Sequence, residues 1–282
     1  MILNLDSSFQ IYPSSVKFDA FTFNGGEPHI KIKEAINSSS SVTITQRIRS
    51  FNDLGLLLTA VDALKRMGVQ RIQLFLPYFP AARQDRVMQV GEALTVKIYA
   101  DLINALQLHK VQIFDPHSEV TPALLDNCEV LSNHCFIQHI LDKIDDEVVL
   151  VSPDGGALKK VYQLAQYLGG LEVIECSKRR NTKTGQLSDF QVYANDLNAK
   201  NCLIVDDICD GGRTFIGLAE ALKHKGANRL YLAVSHGIFS YGFEELNNHF
   251  EHIFTTDAFR DLEEVEGVTQ MKLGAILKIE AA

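Results

Sequence analysis

No stretch of this 282-residue chain approaches the ~18 consecutive apolar residues that a membrane helix needs, so a transmembrane protein is not expected. Basic residues are in deficit, with 27 Lys and Arg against 35 Asp and Glu, and the formal charge is −8. That balance argues against a nucleic-acid partner, because a phosphate backbone demands basic surface. Small anionic substrates stay open, since a local cluster such as Lys178, Arg179 and Arg180 can hold phosphate on an acidic protein. Cysteine is scarce: Cys128, Cys135, Cys176, Cys202 and Cys209 are odd in number and lack CxxC spacing. Reduced, mostly buried thiols in a cytoplasmic protein are the expectation. The start, MILNLDSS, has neither a basic region nor a sustained apolar core, which predicts no signal peptide. No GxxxxGK(S/T) loop is present, although Gly155-Gly156 superficially suggests a nucleotide loop, and no repeat recurs at fixed period.

What is present is a rhythm of strands and helices. Hydrophobic residues make up 46% of the chain and charged residues 22%, enough for a large core and two lobes. Alternating runs around Asn24-Gly25-Gly26 predict an N-terminal hairpin. A strand is expected at 41–45. Leu54, Leu57, Leu58, Val61 and Leu64 then repeat at helical spacing over 53–67. Strands follow at 71–76 and 110–114, with a helix at 92–106 between them. After a linking helix at 136–143 the rhythm restarts, with strands near 148–151, 171–175, 203, 229–234 and 252–255. Strands alternating with helices predict two α/β lobes, each a mostly parallel sheet flanked by helices, at residues 1–136 and 137–282.

The most informative stretch is 201–222, NCLIVDDICDGGRTFIGLAEAL. An apolar run ends in Asp206 and Asp207. A short loop with Asp210, Gly211, Gly212, Arg213 and Thr214 leads to the helix-spaced residues Phe215, Leu218, Ala219 and Leu222. A glycine loop before a helix start is an anion site, and adjacent carboxylates suit sugar hydroxyls or a hydrated magnesium ion. Together they point to a phosphorylated ribose. The plain alternative is a strand–turn–helix in which glycines make the turn and aspartates cap the helix.

VDDICDGGRT at 205–214 resembles the phosphoribosyl-diphosphate loop shared by phosphoribosyltransferases and ribose-phosphate pyrophosphokinases. LPYFPAARQDR at 76–86, DPHSE at 115–119, VSPDG at 151–155, SKRR at 177–180 and SHGIFS at 235–240 are similar to elements of the second family, in its order. The resemblance covers most of the chain and implies two tandem phosphoribosyltransferase-type lobes. The N-terminal lobe would then hold ATP, and the C-terminal lobe the ribose phosphate. By resemblance Phe23 and Glu27 would contact adenine, although Gly25 replaces the aspartate of a Phe-x-Asp-Gly-Glu element. Arg83, Gln84, Asp85 and His117 would bind ATP, with Arg83 near its phosphates. From the residues themselves, Asp85 is expected to pair with Arg86 or the neighbouring loop. His117 and Asp154 would hold Mg2+, a set that rests on the resemblance because magnesium prefers oxygen ligands. The polar, poorly periodic stretch 176–195 would form a mobile lid carrying the catalytic Lys178 and Arg180.

The implied reaction transfers the β,γ-diphosphate of ATP to the anomeric hydroxyl of ribose 5-phosphate. Asp206, Asp207, Asp210, Gly211, Gly212, Arg213 and Thr214 would bind the acceptor. The family reads Asp-Thr-Gly-Gly-Thr where this chain has Asp210-Gly211-Gly212-Arg213-Thr214. Arg213 then either points outward or adds a bidentate phosphate donor, which would suit a larger acceptor such as ADP-ribose and a role in NAD metabolism. A non-catalytic regulatory homologue and a phosphoribosyltransferase are the other readings. The partners expected are ATP and a phosphorylated ribose, with no nucleic acid and no membrane. A homo-oligomer, dimer or hexamer, is implied by resemblance.

Overall fold

The computed structural model describes residues 1–180 and 187–277, with backbone alone at 179, 180 and 187–189. Two compact units emerge: Met1–Ser132 together with the segment that begins at Lys272, and Asn133–Met271.

The first unit runs β1 (Ile2–Asn4), β2 (Phe18–Thr22), β3 (Pro28–Ile32), β4 (Ser41–Thr45), α1 (Phe51–Arg66), β5 (Arg71–Leu76), α2 (Thr95–Asn104), β6 (Lys110–Phe114), α3 (Val120–Leu124) and β7 (Cys128–Leu131). Its main sheet is parallel, in the order β1-β4-β5-β6-β7, and β2-β3 form a separate antiparallel hairpin. The start of α1 is fixed by Ser50, whose hydroxyl accepts from the Asp53 N–H at 3.2 Å. Leu54, Leu57, Val61 and Leu64 then turn one stripe into the core. The helix expected from residue 92 begins instead at Thr95. Glu92 is occupied otherwise: its carboxylate accepts the N–H groups of Met88 at 2.8 Å and Gln89 at 3.1 Å, closing a turn.

The second unit runs α4 (His134–Leu141), β8 (Val148–Ser152), α5 (Leu158–Tyr167), β9 (Val173–Arg180), β10 (Leu187–Val192), β11 (Asn201–Cys209), α6 (Arg213–His224), β12 (Leu230–Gly237), α7 (Glu244–Asn247), β13 (His252–Thr256) and β14 (Val268–Met271). The chain then returns to the first unit with α8 (Leu273–Ile276). The sheet order is β10-β9-β8-β11-β12-β13-β14, parallel throughout except for the β9–β10 pair. β12 is buried along its whole length, as a central parallel strand covered on both faces must be. The stretch 176–195, expected as an irregular lid, supplies most of the antiparallel β9–β10 pair; residues 181–186 lie outside the described residues. Among the described residues no helix is long and apolar enough to cross a membrane.

Leu232 is fully buried on β12, opposite Ile204 on β11 and Ile253 on β13. Leu232→Ala is expected to cost about 2–5 kcal/mol of stability, as buried leucine truncations do. The urea midpoint followed by circular dichroism should fall with an unchanged slope; a midpoint within experimental scatter of the parent would contradict this placement.

Candidate active site

β11 pairs with β8 only as far as Ile204, while its pairing with β12 continues to Cys209. The strand therefore projects past one neighbour at its carboxyl end, where parallel sheets receive ligands. Asp206 and Asp207 lie on this projection. Asp207 is 8% exposed, and its N–H donates to Asp206 Oδ1 at 2.9 Å. Asp206 is half-buried. Desolvation first, then the like charges of Asp207 and Asp154, push its carboxyl well above the ordinary range. Burial also pushes the Cys209 thiol up to about 12, so it is a core group and no nucleophile.

The chain then turns into α6 through Gly211 and Gly212. Gly212 takes a φ of +78°, and a Cβ there would meet Leu246 side-chain carbons at 3.1–3.3 Å. A Cβ on Gly211 would meet the Tyr241 ring at 3.0 Å. Gly212 needs glycine's freedom because its φ is positive, whereas at Gly211 the close neighbour is the exposed Tyr241 ring. The 235–240 segment braces it from below: Ile238 and Phe239 N–H groups donate to the Cys209 carbonyl at 2.8 and 3.1 Å, and Ser240 N–H to the Asp210 carbonyl at 3.0 Å. Gly212 caps α6 without a side chain, and the first N–H groups of a helix have no carbonyl of their own to bond. The turn thus presents donors and the positive end of the helix dipole to one spot.

One expected side chain reaches the start of α6. Lys178, on β9, donates from Nζ to Thr214 Oγ1 at 2.9 Å. Arg213 is exposed, with its guanidinium 5.6 Å from the centre of the Tyr241 ring. Of the two arrangements open from the sequence, this one turns Arg213 outward onto an aromatic face. The Arg180 side chain lies outside the described residues. Asp154, at the tip of β8, accepts through Oδ1 the N–H groups of Gly156 at 2.9 Å and Ala157 at 3.2 Å, beside the start of α5.

In the first unit, the expected nucleotide residues gather at two places. Ala81 and Asp115 hold positive φ values of 57° and 38° just beyond β5 and β6, where non-glycine strain often marks a functional tip. Arg83 and Gln84 are exposed on the loop between Ala81 and α2. Asp85 points inward. Burial alone would raise its carboxyl, but hydrogen bonds from Ser118 and Arg86, with the charges of Arg86 and His117, hold it below the usual range. Its Oδ1 lies 3.1 Å from Arg86 Nε, the pairing expected from the residues themselves. Ser118, which sequence reasoning passed over inside DPHSE, ties that loop to ARQDR.

The second place is the β2–β3 hairpin, where exposed Phe21, Phe23 and His29 form a ring cluster with centroids 4.8–5.6 Å apart. A Cβ on Gly25 would fall 2.5 Å from Glu27 Oε2, the far end of an exposed side chain that is free to swing aside. His117 and Asp154 belong to different units, and among the described residues no three His, Cys, Asp or Glu side chains group as a metal site.

Comparison with known proteins shows the family. Residues 8–106 match the N-terminal domain of ribose phosphate pyrophosphokinase, and residues 123–251 match the phosphoribosyl transferase domain. A ribose-phosphate pyrophosphokinase of Thermosipho africanus is 33% identical over 245 residues, covering 84% of this chain and 76% of that protein. One from Shewanella oneidensis is 31% identical over 264 residues, covering 90% and 83%. The crystal structure of phosphoribosylpyrophosphate synthetase from Mycobacterium smegmatis shares the fold, with a TM-score of 0.81 over 93% of this chain and 88% of that one at 22% identity. Fold and turn together define a protein of the phosphoribosyltransferase-type α/β class. Within it, the chain belongs to the ribose-phosphate pyrophosphokinase family, whose enzymes are ATP-dependent diphosphotransferases.

The crowded carboxylates give a stability prediction. A carboxyl whose folded value is raised costs the folded state at pH values above the ordinary aspartate value of ~3.9, and nothing below it. In chelator, Asp206→Asn should raise the melting temperature at pH 7, and the gain should shrink toward zero as the pH falls to about 4. An equal gain at both pH values would show that charge is not its source.

Proposed function

We propose that this protein transfers the β,γ-diphosphate of ATP to the anomeric hydroxyl of ribose 5-phosphate, releasing phosphoribosyl diphosphate and AMP. The observation that supports this most is the Lys178–Thr214 hydrogen bond of 2.9 Å, which sets an ammonium group at the mouth of an anion-binding helix start. Backbone N–H groups of 211–214 and the Thr214 hydroxyl would grip the 5-phosphate, and Asp206 and Asp207 the ribose diol. The anomeric oxygen then attacks the β-phosphorus in line, and AMP leaves with the α,β-bridging oxygen. Lys178 and Arg180 would stabilise the charge that develops on the transferred group.

On the nucleotide side, Phe23 and Glu27 would meet the adenine, and Arg83 and Gln84 the phosphates. Asp85 would act by fixing Arg86 and the 115–119 loop. Mg2+ bound with ATP supplies charge neutralisation at the bridging oxygens. Asp154 offers the kind of oxygen donor that magnesium prefers, and its charge is felt at Asp206, so a cation held there would offset part of what raises the Asp206 carboxyl. Asp154 would be one of the residues that hold the ion. Self-association into a dimer or hexamer belongs to the same reading, with the exposed rings of the β2–β3 hairpin available to a neighbouring chain.

Arg213 favours one second reading. Its guanidinium, held against the Tyr241 ring beside the 5-phosphate seat, would suit an acceptor that continues beyond that phosphate, as ADP-ribose does. A non-catalytic regulatory homologue has less support, because Lys178 stands at the anion seat.

Purified protein with ATP and magnesium should release AMP when given ribose 5-phosphate, and Lys178→Ala should lower kcat on the order of 10²–10³-fold with KM little changed. Preference for ADP-ribose in kcat/KM, diminished by Arg213→Ala, would select the second reading. No AMP with either acceptor would leave the regulatory one.

A further inference from the structure

Gly217 stands inside α6, a position where alanine would be the better helix former. Its lack of a side chain has a specific neighbour. A Cβ at residue 217 would lie 2.7 Å from Phe190 Cε2 and 3.1 Å from Cδ2. Phe190 is on β10, directly opposite Lys178 in the antiparallel β9–β10 register. Side chains at directly opposed positions project from the same face of a sheet. Lys178 in turn reaches Thr214, which lies three residues before Gly217 and so on the same face of α6. One rung of the hairpin therefore meets two neighbouring positions of one helix: the ring on Gly217, the ammonium on Thr214.

We infer that the Thr214–Gly217 face of α6 is the seat of the β9–β10 hairpin, and that Gly217 and Phe190 are positioning residues for Lys178. The inference rests on Lys178 being catalytic, as proposed above. Its physical content is that a single rigid helix does two things. Its first turn receives the acceptor's 5-phosphate, and its second turn sets how close the lysine-bearing rung approaches. The lysine is then referenced to the acceptor through packing against a helix that the acceptor itself engages. A methyl at 217 cannot coexist with the ring of Phe190 in its present place; on this inference the rung lifts to relieve the clash, and Lys178 with it, rather than the ring turning alone.

The test is Gly217→Ala, alone and combined with Phe190→Leu, which removes the ring and makes room for the methyl. Gly217→Ala sets alanine's helix gain of about 1 kcal/mol against the disturbed Phe190 packing, so the melting temperature should move by no more than a few degrees. It should speed hydrogen exchange of the β10 amides and lower kcat with ribose 5-phosphate by up to about 10²-fold, the scale expected for small misplacements. KM for ATP should stay within about twofold. The double variant should recover both the slow exchange and most of kcat. Unchanged exchange or unchanged kcat in Gly217→Ala overturns the inference, and so does a loss that Phe190→Leu fails to rescue, since that loss would be general damage. Lys178→Ala in the same assay separates the two layers. Full turnover by that variant refutes the catalytic reading of Lys178, while the exchange data still judge the seat.

Discussion

The structure of the second unit depends on how β11 ends. A central parallel strand must leave the sheet, reverse, and start a helix that packs back on it, all within residues 210–212. That demand forces a left-handed backbone at Gly212 and close approach of Tyr241 and Leu246 to the two glycines. It also leaves donor groups at the start of α6 with nothing in the helix to bond. The same turn brings two carboxylates on the projecting strand close to the N–H groups of a helix start. A molecule with a diol at one end and a phosphate at the other satisfies both, which is why the topology reads as a seat for a 5-phosphoribosyl group.

The rest of the unit serves to hold that seat. The backbone of 238–240 bonds to the carbonyls of Cys209 and Asp210, so the loop is braced from β12 as well as from its own strand. The hairpin β9–β10 brings Lys178 to Thr214 on a regular strand rung instead of a free loop. Positioning of this kind matters for diphosphate transfer, where a catalyst contributes placement and charge more than covalent chemistry. In the first unit a comparable economy operates at the tips of β5 and β6, where Asp85, Arg86, Ser118 and His117 interlock two loops by charge and hydrogen bonds.

Much of this was legible in the residues. The helical spacing from Leu54 to Leu64 and the apolar runs at β5, β6, β8, β11 and β12 follow from burial, a local property that leaves a local imprint. VDDICDGGRT carried its own geometry, because the turn it makes tolerates little else. The β9–β10 pair was not legible. By resemblance Lys178 is marked as catalytic, but its partnership with Thr214, 36 residues away, exists only once the sheet forms. Gly217 gave no signal in a helical stretch either, since its reason is Phe190 across the unit. Glu92 looked like a helix start and closes a turn. Tyr241 would have needed a reason to connect an aromatic residue after SHGIFS with Arg213, and only the fold provides one.

The central claim is that residues 206–214 seat a phosphorylated ribose through its 5-phosphate. Calorimetric titration of ribose 5-phosphate, and of ribose, into the protein with magnesium and a non-hydrolysable ATP analogue tests it most directly. The account predicts one ribose 5-phosphate per chain, no measurable heat with ribose, and affinity weakened about tenfold by Thr214→Val, the scale of one lost hydrogen bond to a charged group. Equal affinity for ribose and ribose 5-phosphate, or indifference to Thr214→Val, would contradict it.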